Sequence, residues 1–125
     1  KNTAGLTAGG FPSDIAAGGD GNLYFTEPFF SATLADKVGR ITTAGVITEL
    51  GNLAPNSYPS TIIVGADQNM YFTEYSVGTL GRITLPTGSV SEFALAMQYG
   101  ASGMAAAPDG TLWVGAVDRF YRVNY

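Results

Sequence analysis

Short apolar runs alternate with turn-forming residues along the whole chain. The runs Leu23-Tyr24-Phe25, Met70-Tyr71-Phe72 and Leu112-Trp113-Val114 are apolar at three successive positions. A strand that faced water on one side would alternate apolar and polar residues, so these runs predict strands that are covered on both faces. No segment keeps the 3.6-residue spacing of an amphipathic helix. The pattern therefore predicts an all-β protein built from short strands.

The same order of residues recurs along the chain. The first two copies share a Pro-Ser start, an Asp-x-Asn turn, a Tyr-Phe-Thr-Glu segment and a Gly-Arg-Ile-Thr segment, and a third copy is less complete. The turn aspartates Asp20, Asp67 and Asp109 place the copies 47 and 42 positions apart. An insertion at residues 28–37 accounts for the longer first spacing. A period of about 42 residues with four short strands predicts the blades of a β-propeller.

The turn between the first two strands of each copy also follows a pattern. Asp20-Gly21 and Asp109-Gly110 predict type I′ hairpin turns, because Asp-Gly tolerates the two positive φ angles that this turn needs. The second copy has Asp67-Gln68 at the same place. Since glutamine disfavours positive φ, we expect a different turn there.

We interpret residues 1–125 as a single domain of three antiparallel, four-stranded blades. Blade 1 covers residues 12–58 with the insertion 28–37, blade 2 covers residues 59–100, and the incomplete blade 3 covers residues 101–125 and lacks its fourth strand. Residues 2–6 resemble residues 42–46, which form the turn and the start of the fourth strand in blade 1. Residues 1–11 are therefore interpreted as a closing strand and a crossover.

Three blades cannot close a ring, because propellers typically contain four to eight. We expect the chain to be part of a six- or seven-bladed propeller, since an open stack leaves apolar blade faces and strand edges exposed. In one alternative, the chain self-associates and two copies close a six-bladed ring, each N-terminal strand completing the last blade of the other. In the other alternative, the remainder of a longer propeller covers the exposed faces.

Composition and charge narrow the classes of partner. Hydrophobic residues make up 46% of the chain and charged residues only 13%, which excludes a disordered chain. The net charge of −4 has the wrong sign for a nucleic acid partner. No apolar run approaches the ~18 residues of a membrane span. The low charge and the 17 glycines favour a secreted or extracellular protein.

The chain contains no cysteine and no histidine. Thiol nucleophiles, disulfides, Ser-His-Asp triads and imidazole bases are therefore impossible within this sequence. Any enzymatic mechanism that needs such a group must obtain it from another polypeptide segment.

Two segments of blade 1 carry a distinctive pattern. Residues 20–27 read Asp-Gly-Asn-Leu-Tyr-Phe-Thr-Glu, and residues 38–49 read Val-Gly-Arg-Ile-Thr-Thr-Ala-Gly-Val-Ile-Thr-Glu. Together they resemble the blade repeat of the streptogramin B lyase (virginiamycin B lyase) family. The resemblance implies a seven-bladed propeller that opens a cyclic depsipeptide by elimination at its ester bond. It also implies a divalent metal, usually Mg²⁺, and a histidine base on later blades, which this chain lacks. We therefore expect an extracellular binding or structural assembly module. The alternative is a metal-dependent lyase whose base comes from another chain or segment.

Five residues are candidates for ligand or partner binding: Glu27, Phe29, Phe30, Glu74 and Tyr75. Phe29 and Phe30 lie in the insertion, and a lengthened loop on a rigid scaffold is a common place for recognition. The alternative is that the two rings cover an apolar rim or a subunit contact. Glu27 and Glu74 end equivalent strands and are the weak candidates for sharing a cation, although the third equivalent is Ala116. The favoured alternative is that the two carboxylates only make the rim polar.

Two further sets of repeated residues have structural interpretations. Arg40, Arg82 and Arg122 recur at one blade position, where we expect them to bridge to carboxylates. Tyr24, Tyr71 and Trp113 are expected to lie in the core between blades.

Overall fold

The computed structural model describes residues 4–95 and 100–123. These residues form eleven strands and no helix. The strands are β1 (Asp14–Ala17), β2 (Leu23–Glu27), β3 (Lys37–Ile41), β4 (Ile47–Asn52), β5 (Pro59–Val64), β6 (Met70–Glu74), β7 (Thr79–Thr84), β8 (Ser89–Ala94), β9 (Met104–Ala106), β10 (Leu112–Gly115) and β11 (Phe120–Val123).

The strands form three antiparallel sheets in which neighbours in space are neighbours in sequence. Blade 1 has the order β1-β2-β3-β4, blade 2 has β5-β6-β7-β8, and blade 3 has β9-β10-β11. The all-β prediction and the three propeller-type sheets are confirmed. Within the described residues, the third sheet has three strands where the other two have four.

The blades stack face to face through two apolar clusters. The first cluster joins Tyr24, Val38 and Leu53 of blade 1 to Ile62, Met70, Phe72 and Ile83 of blade 2. The second joins Tyr71 and Leu80 of blade 2 to Ala101, Leu112 and Val114 of blade 3. Successive side chains of a strand point to opposite faces, so adjacent residues such as Tyr71 and Phe72 enter different clusters. This is why the strands are apolar on both faces.

A repeated hydroxyl contact links each blade to the next. The Thr26 hydroxyl donates to the Ser60 carbonyl at 2.9 Å, and the Thr73 hydroxyl donates to the Ser102 carbonyl at the same distance. The first strands β1, β5 and β9 lie side by side along this junction. The recurring threonine and serine therefore hold successive blades in register.

The three first turns have one conformation, so the predicted type I′ turns are wrong. In each turn a single residue, Gly21, Gln68 or Gly110, has positive φ, at 87°, 70° and 88°. The preceding aspartates do not, because their carboxylates accept local hydrogen bonds, as Asp67 does from the Asn69 backbone. The expectation of a different turn at Gln68 is also wrong. These side-chain bonds fix the turn strongly enough to hold glutamine in the left-handed region.

Large and small residues exchange places in the third blade. In blade 1 the Phe25 ring covers Gly39, and in blade 2 the Phe72 ring covers Gly81, where an added Cβ would lie 2.0 Å from the ring. In blade 3 the paired positions hold Val114 and Tyr121 instead. The smaller valine leaves room for the tyrosine, which packs against the second cluster.

The prediction that Tyr24, Tyr71 and Trp113 all lie in the core is correct for the two tyrosines and wrong for the tryptophan. Tyr24 and Tyr71 are fully buried, whereas Trp113 is 41% exposed. The reason is its position: Trp113 lies on the face of blade 3 that points away from blade 2, against which no other blade among residues 4–95 and 100–123 packs.

Residues 4–11, in the segment predicted to form a closing strand, contain no strand. They lie against β4, where the Thr7 hydroxyl donates to the Glu49 carboxylate at 2.6 Å and the Thr7 amide donates at 2.9 Å. Residues 1–3 of that prediction lie outside the described residues. The structure contains no helix, within the part it describes, of a length and hydropathy suited to crossing a membrane.

Candidate functional site

An aromatic cluster lies at the end of the blades where β2 ends and β1 begins. Phe30 is 55% exposed, and its ring packs edge to face on Phe11 and Tyr58, with centroid distances of 5.3 and 4.9 Å. Tyr75 is also exposed, and its amide donates to the Tyr58 carbonyl at 2.9 Å. We call Phe11, Phe30, Tyr58 and Tyr75 the aromatic rim. It draws on both blade 1 and blade 2.

A buried carboxylate holds the aromatic rim in place. Asp36 is fully buried and accepts hydrogen bonds from the Phe29 amide and the Tyr58 amide, each at 2.9 Å. The Ser57 hydroxyl donates to the same carboxylate at 3.4 Å. Asp36 thus joins the insertion of blade 1 to the loop that enters blade 2.

The backbone at the aromatic rim adopts rare conformations. Phe30, Asn56 and Tyr58 have φ angles of 52°, 60° and 56°, in the left-handed region that non-glycine residues seldom occupy. Such conformations cost on the order of 1–3 kcal/mol each and persist only where the surroundings fix them. The bond from the Tyr58 amide to Asp36 provides that constraint at Tyr58, and ring contacts with Phe11 and Tyr58 hold Phe30.

The two phenylalanines of the insertion have different environments. Phe29 is buried, with the Lys37 ammonium 5.8 Å from its ring centroid, whereas Phe30 is at the surface. Of the pair, Phe30 alone offers its ring to a ligand.

Sequence reasoning missed Phe11, Tyr58 and Asp36. Phe11 and Tyr58 each precede the Pro-Ser start of a blade, so the repeat alignment carried a signal for these two. Asp36 lies in the insertion, which has no counterpart in the other blades. No pattern in a single sequence marks its role.

Glu27 does not face the other candidate carboxylate but a glutamate of its own blade. It is fully buried, and burial together with the hydrogen bond and charge of Glu49 raises the pKa of Glu27 to about 8, against the opposing charge of Lys37. Burial acts to raise the pKa of Glu49 too, but the hydrogen bonds from Thr7 lower it. At neutral pH Glu27 is therefore the protonated acid that donates to the Glu49 carboxylate. Without that proton its oxygens have no partner.

Glu74 repeats this arrangement in blade 2. Burial, and then the hydrogen bond and charge of Glu92, raise the pKa of Glu74 to about 8. The Ser57 hydroxyl opposes the shift and the Asp36 charge adds to it. The Glu27–Glu49 and Glu74–Glu92 pairs occupy equivalent places in the two blades, and we call them the carboxyl pairs.

The carboxyl pairs do not form the oxygen shell that Mg²⁺ needs. This ion demands octahedral coordination and usually keeps several waters, whereas Glu27 and Glu74 are sealed from solvent. Among residues 4–95 and 100–123, no three carboxylate side chains are grouped so as to hold a metal. The prediction that Glu27 and Glu74 share a cation stays a prediction.

The repeated arginines do not form the predicted carboxylate bridges. In the described part of the chain, the ion pair within 4 Å is Arg119 with Asp118. Burial and the hydrogen bond to Asp67 raise the pKa of the Tyr71 phenol, and Arg82 opposes this shift, which places its guanidinium beside the phenol. Arg82 also lies over the Phe93 ring, 5.3 Å from its centroid. Arg40 likewise lies beside the Tyr24 phenol, so these two arginines cover the buried tyrosines.

Comparison with protein families gives a decisive match. The model of the virginiamycin B lyase family matches residues 4–119, which is nearly the whole chain. The chain belongs to the virginiamycin B lyase family. A search of curated proteins finds no significant match.

Solved structures of lyases share the fold. A streptogramin B lyase structure is 30% identical with a TM-score of 0.78, and the match covers 90% of this chain and 37% of that one. Selenomethionine-substituted virginiamycin B lyase from Staphylococcus aureus is 29% identical with a TM-score of 0.81, covering 96% and 40%. This virginiamycin B lyase family member thus spans about two fifths of the length of the lyases that it matches.

A third lyase structure shows the fold alone. It is a catalytically inactive variant of the S. aureus lyase with quinupristin, 22% identical with a TM-score of 0.71, and the match covers 99% of this chain and 45% of that one.

Proposed function

We propose that this chain is a ligand-binding unit of an extracellular, virginiamycin B lyase-type propeller. Its ligand is an apolar cyclic peptide of the B-type streptogramin class, which contacts the aromatic rim. The observation that carries the proposal is the exposure of Phe30 on the rings of Phe11 and Tyr58, the residues that immediately precede the first strands of two successive blades. An isolated exposed ring needs no explanation, but rings gathered at one end of a fixed scaffold favour ligand binding.

The rigidity of the aromatic rim supports this role. Binding costs less when the contact groups are already ordered, because fewer side chains lose freedom on association. Asp36 orders Tyr58 through its amide, and ring contacts order Phe30. Flat aromatic surfaces also suit a macrocycle with aromatic and aliphatic substituents. The lyases at about 30% identity make streptogramin B the first ligand to test.

For this chain by itself, a ligand-binding function is favoured over a catalytic one. The sequence has no histidine and no cysteine. Among the described residues, the side chains whose pKa values are raised to near neutrality are Glu27 and Glu74, and both are fully buried. A second candidate function, supported by the family membership, is a metal-dependent lyase acting on the same ligands with a base from another segment.

Titration calorimetry with quinupristin tests the binding function. We expect saturable binding to the full chain that Phe30→Ala weakens at least tenfold. Val46→Ala is the matched control, since Val46 is equally exposed but lies in the β3–β4 turn at the opposite end of blade 1, and it should leave the affinity unchanged. Absence of binding at ligand concentrations up to ~1 mM, or equal affinity of the Phe30→Ala variant, would overturn the proposal.

The lyase alternative is separated by following the antibiotic itself. Elimination opens the ring without adding water, so the linear product keeps the mass of quinupristin and must be resolved by chromatography. We expect no linear product from the purified, histidine-tag-free chain with or without Mg²⁺. Turnover by the chain alone would establish the lyase function and would contradict the proposal that this chain only binds the antibiotic.

A further inference from the structure

We propose that the buried carboxyl groups of Glu27 and Glu74 regulate the aromatic rim through their protonation state. The aromatic rim holds its apolar ligand while both groups are neutral, and it releases the ligand when they ionise in mildly alkaline solution. This inference rests on the proposed ligand-binding function and adds the regulation of the same site.

In blade 1, the Glu27 carboxyl lies against the backbone that carries one ring of the aromatic rim. A Cβ added at Gly10 would lie 2.0 Å from Glu27 Oε1, so not even a methyl group fits between the two residues. Gly10 is followed by Phe11, whose amide donates to the Pro28 carbonyl at 2.9 Å. Pro28 directly follows Glu27. The backbone of Phe11 is therefore tied to Glu27 and to its neighbour.

Blade 2 repeats this relationship with different residues. Ser57 takes the place of Gly10, because each precedes the aromatic residue before a Pro-Ser start. Ser57 is fully buried, and its hydroxyl is close enough to Glu74 to act on the pKa of that carboxyl. The next residue is Tyr58, whose ring contacts Phe30. Each of the two blades thus places a buried glutamic acid beside the residue that precedes a ring of the aromatic rim.

Ionisation of Glu27 creates a charge that its closed surroundings do not solvate. Burial, and then the hydrogen bond and charge of Glu49 on β4, raise the pKa of Glu27 to about 8, and the Lys37 charge on β3 opposes the shift. Among the described residues, neither oxygen of this carboxyl accepts a hydrogen bond. A buried carboxylate requires donors or water. On the Gly10 side there is no space for a water molecule, so water that solvates the carboxylate displaces Gly10 and with it Phe11.

Ionisation of Glu74 disturbs the bonds that hold Tyr58. Burial, and then the hydrogen bond and charge of Glu92 on β8, raise the pKa of Glu74 to about 8. The Ser57 hydroxyl opposes this shift and the Asp36 charge adds to it. That hydroxyl has a single proton, which it donates to Asp36 at 3.4 Å. An ionised Glu74 competes for this proton and repels the Asp36 carboxylate, so the bond from the Tyr58 amide to Asp36 is weakened.

The aromatic rim is the part of this region that yields first. Asn56 and Tyr58 have φ angles of 60° and 56°, and such conformations persist only while the surroundings fix them. The two glutamates lie on β2 and β6, and each of these strands is paired on both sides within its sheet. We therefore expect the charge to open the loops of the aromatic rim before it disturbs the sheets.

The direction of the pH effect follows from the two states of the aromatic rim. In the closed state the pKa values of Glu27 and Glu74 are about 8, and access of water returns them toward 4.5. Between these values the closed state holds protons that the open state releases, so a rising pH favours the open state. A ligand that needs the closed state therefore binds most tightly in acid and loses affinity as the pH rises to about 8.

Nuclear magnetic resonance of the free chain tests this coupling without a ligand. Phenylalanine rings do not titrate, so the ¹³C shifts of Phe11 and Phe30 report the conformation of the aromatic rim. We expect both to change between pH 6 and pH 9, and Glu27→Gln to remove the change at Phe11. Phe120 is the internal control, because it is exposed on blade 3 and distant from both carboxyls in the repeat. Shifts of Phe11 and Phe30 that ignore pH would overturn the proposal.

Titration calorimetry with quinupristin at pH 6 and pH 9 then tests the regulation of binding. We expect the full chain to bind about tenfold more weakly at pH 9. The double variant Glu27→Gln, Glu74→Gln should have the same affinity at both pH values. It is the matched control, because any titration of the ligand itself affects both chains equally. Far-UV circular dichroism checks that each chain is folded at each pH.

The outcomes separate this inference from the proposed function. If the parent chain binds equally well at pH 6 and pH 9, the regulation is wrong and the binding function stands. If the double variant loses as much affinity as the parent chain, another group causes the loss and the proposal is overturned. If quinupristin does not bind at pH 6, the proposed function fails, while the ring shifts of the free chain still decide whether the two carboxyls control the aromatic rim.

Discussion

The protonated Glu27 carboxyl donates a hydrogen bond to the Glu49 carboxylate inside blade 1, and the two groups form an acid–carboxylate pair in which Glu27 is fully buried and Glu49 is partly exposed. Charging both groups would place two negative charges together away from water, which is why one of them stays neutral. The same relationship between Glu74 and Glu92 in blade 2 makes it a feature of the repeat.

The carboxyl pairs predict a loss of stability as the pH rises. The pKa values of Glu27 and Glu74 are about 8 in the folded chain and 4.5 in the unfolded chain, so between these values the folded state holds more protons. By linkage, the free energy of unfolding is greatest below pH 4.5 as far as these two groups are concerned, and it falls until about pH 8. Urea denaturation followed from pH 5 to pH 9 measures the slope.

The glutamine variants provide the control for this prediction. An amide donates to the partner carboxylate as the protonated acid does, but it does not titrate. We expect Glu27→Gln and Glu74→Gln each to flatten the profile and to be more stable than the parent chain at pH 8. A variant that keeps the full slope would show that another group causes it.

The exchange of large and small residues between Phe72–Gly81 and Val114–Tyr121 predicts strong coupling. In blade 3, Val114→Phe alone should crowd Tyr121 and destabilise the chain by about 1–3 kcal/mol. Tyr121→Gly alone should also destabilise it, because a packed ring is lost. The double variant reproduces the blade 2 pair, so its loss should be smaller than the sum by ~0.5–3 kcal/mol. If a double-mutant cycle shows that the losses of the two single variants simply add in the double variant, this explanation is contradicted.

Gln68 predicts a stabilising substitution. It holds a φ of 70° at the position where the other two turns have glycine. A non-glycine residue in this region costs roughly 1–2 kcal/mol, so Gln68→Gly should raise the free energy of unfolding by up to that amount. Gln68→Ala keeps the unfavourable φ and should bring no gain. Thermal unfolding of the three chains side by side makes the comparison.

The blades could be predicted from the sequence because each repeats a local pattern. Runs of adjacent apolar residues such as Tyr71-Phe72 indicate a strand that packs on both faces. This pattern can be read from the strand itself, without knowledge of distant segments. The turn at Gln68 was mispredicted because propensity favours another conformation, while the Asp67 side-chain bonds decide the outcome.

The candidate site was less predictable because it depends on contacts between segments distant in sequence. Phe30 meets Tyr58 across 28 positions, and Asp36 bonds to Tyr58 across 22. The burial of Phe29 and the exposure of Phe30 likewise follow from how the insertion folds back. Two adjacent phenylalanines in a sequence do not show which of them will be buried.

Asp36 predicts a link between stability and ligand binding. Its two oxygens accept from the Phe29 amide, the Tyr58 amide and the Ser57 hydroxyl, so the site needs an acceptor at both positions. Asn replaces one acceptor by an NH₂ donor that faces an N–H or O–H group. We expect Asp36→Asn to lower the free energy of unfolding by about 1–3 kcal/mol, the cost of leaving a buried donor without a partner.

The same substitution should disturb the fixed positions of the aromatic rim more than it disturbs the packing of the blades. Without Asp36, Tyr58 loses the bond that holds its φ of 56°, and the edge-to-face contact with Phe30 loses its support. Quinupristin affinity should therefore fall under conditions where the chain remains fully folded. Ser57→Ala is the milder control, because its 3.4 Å bond is long and the two amide donors keep their acceptors. If Asp36→Asn destabilises the fold without changing the affinity, the carboxylate supports the blade junction alone and the aromatic rim is ordered by its ring contacts.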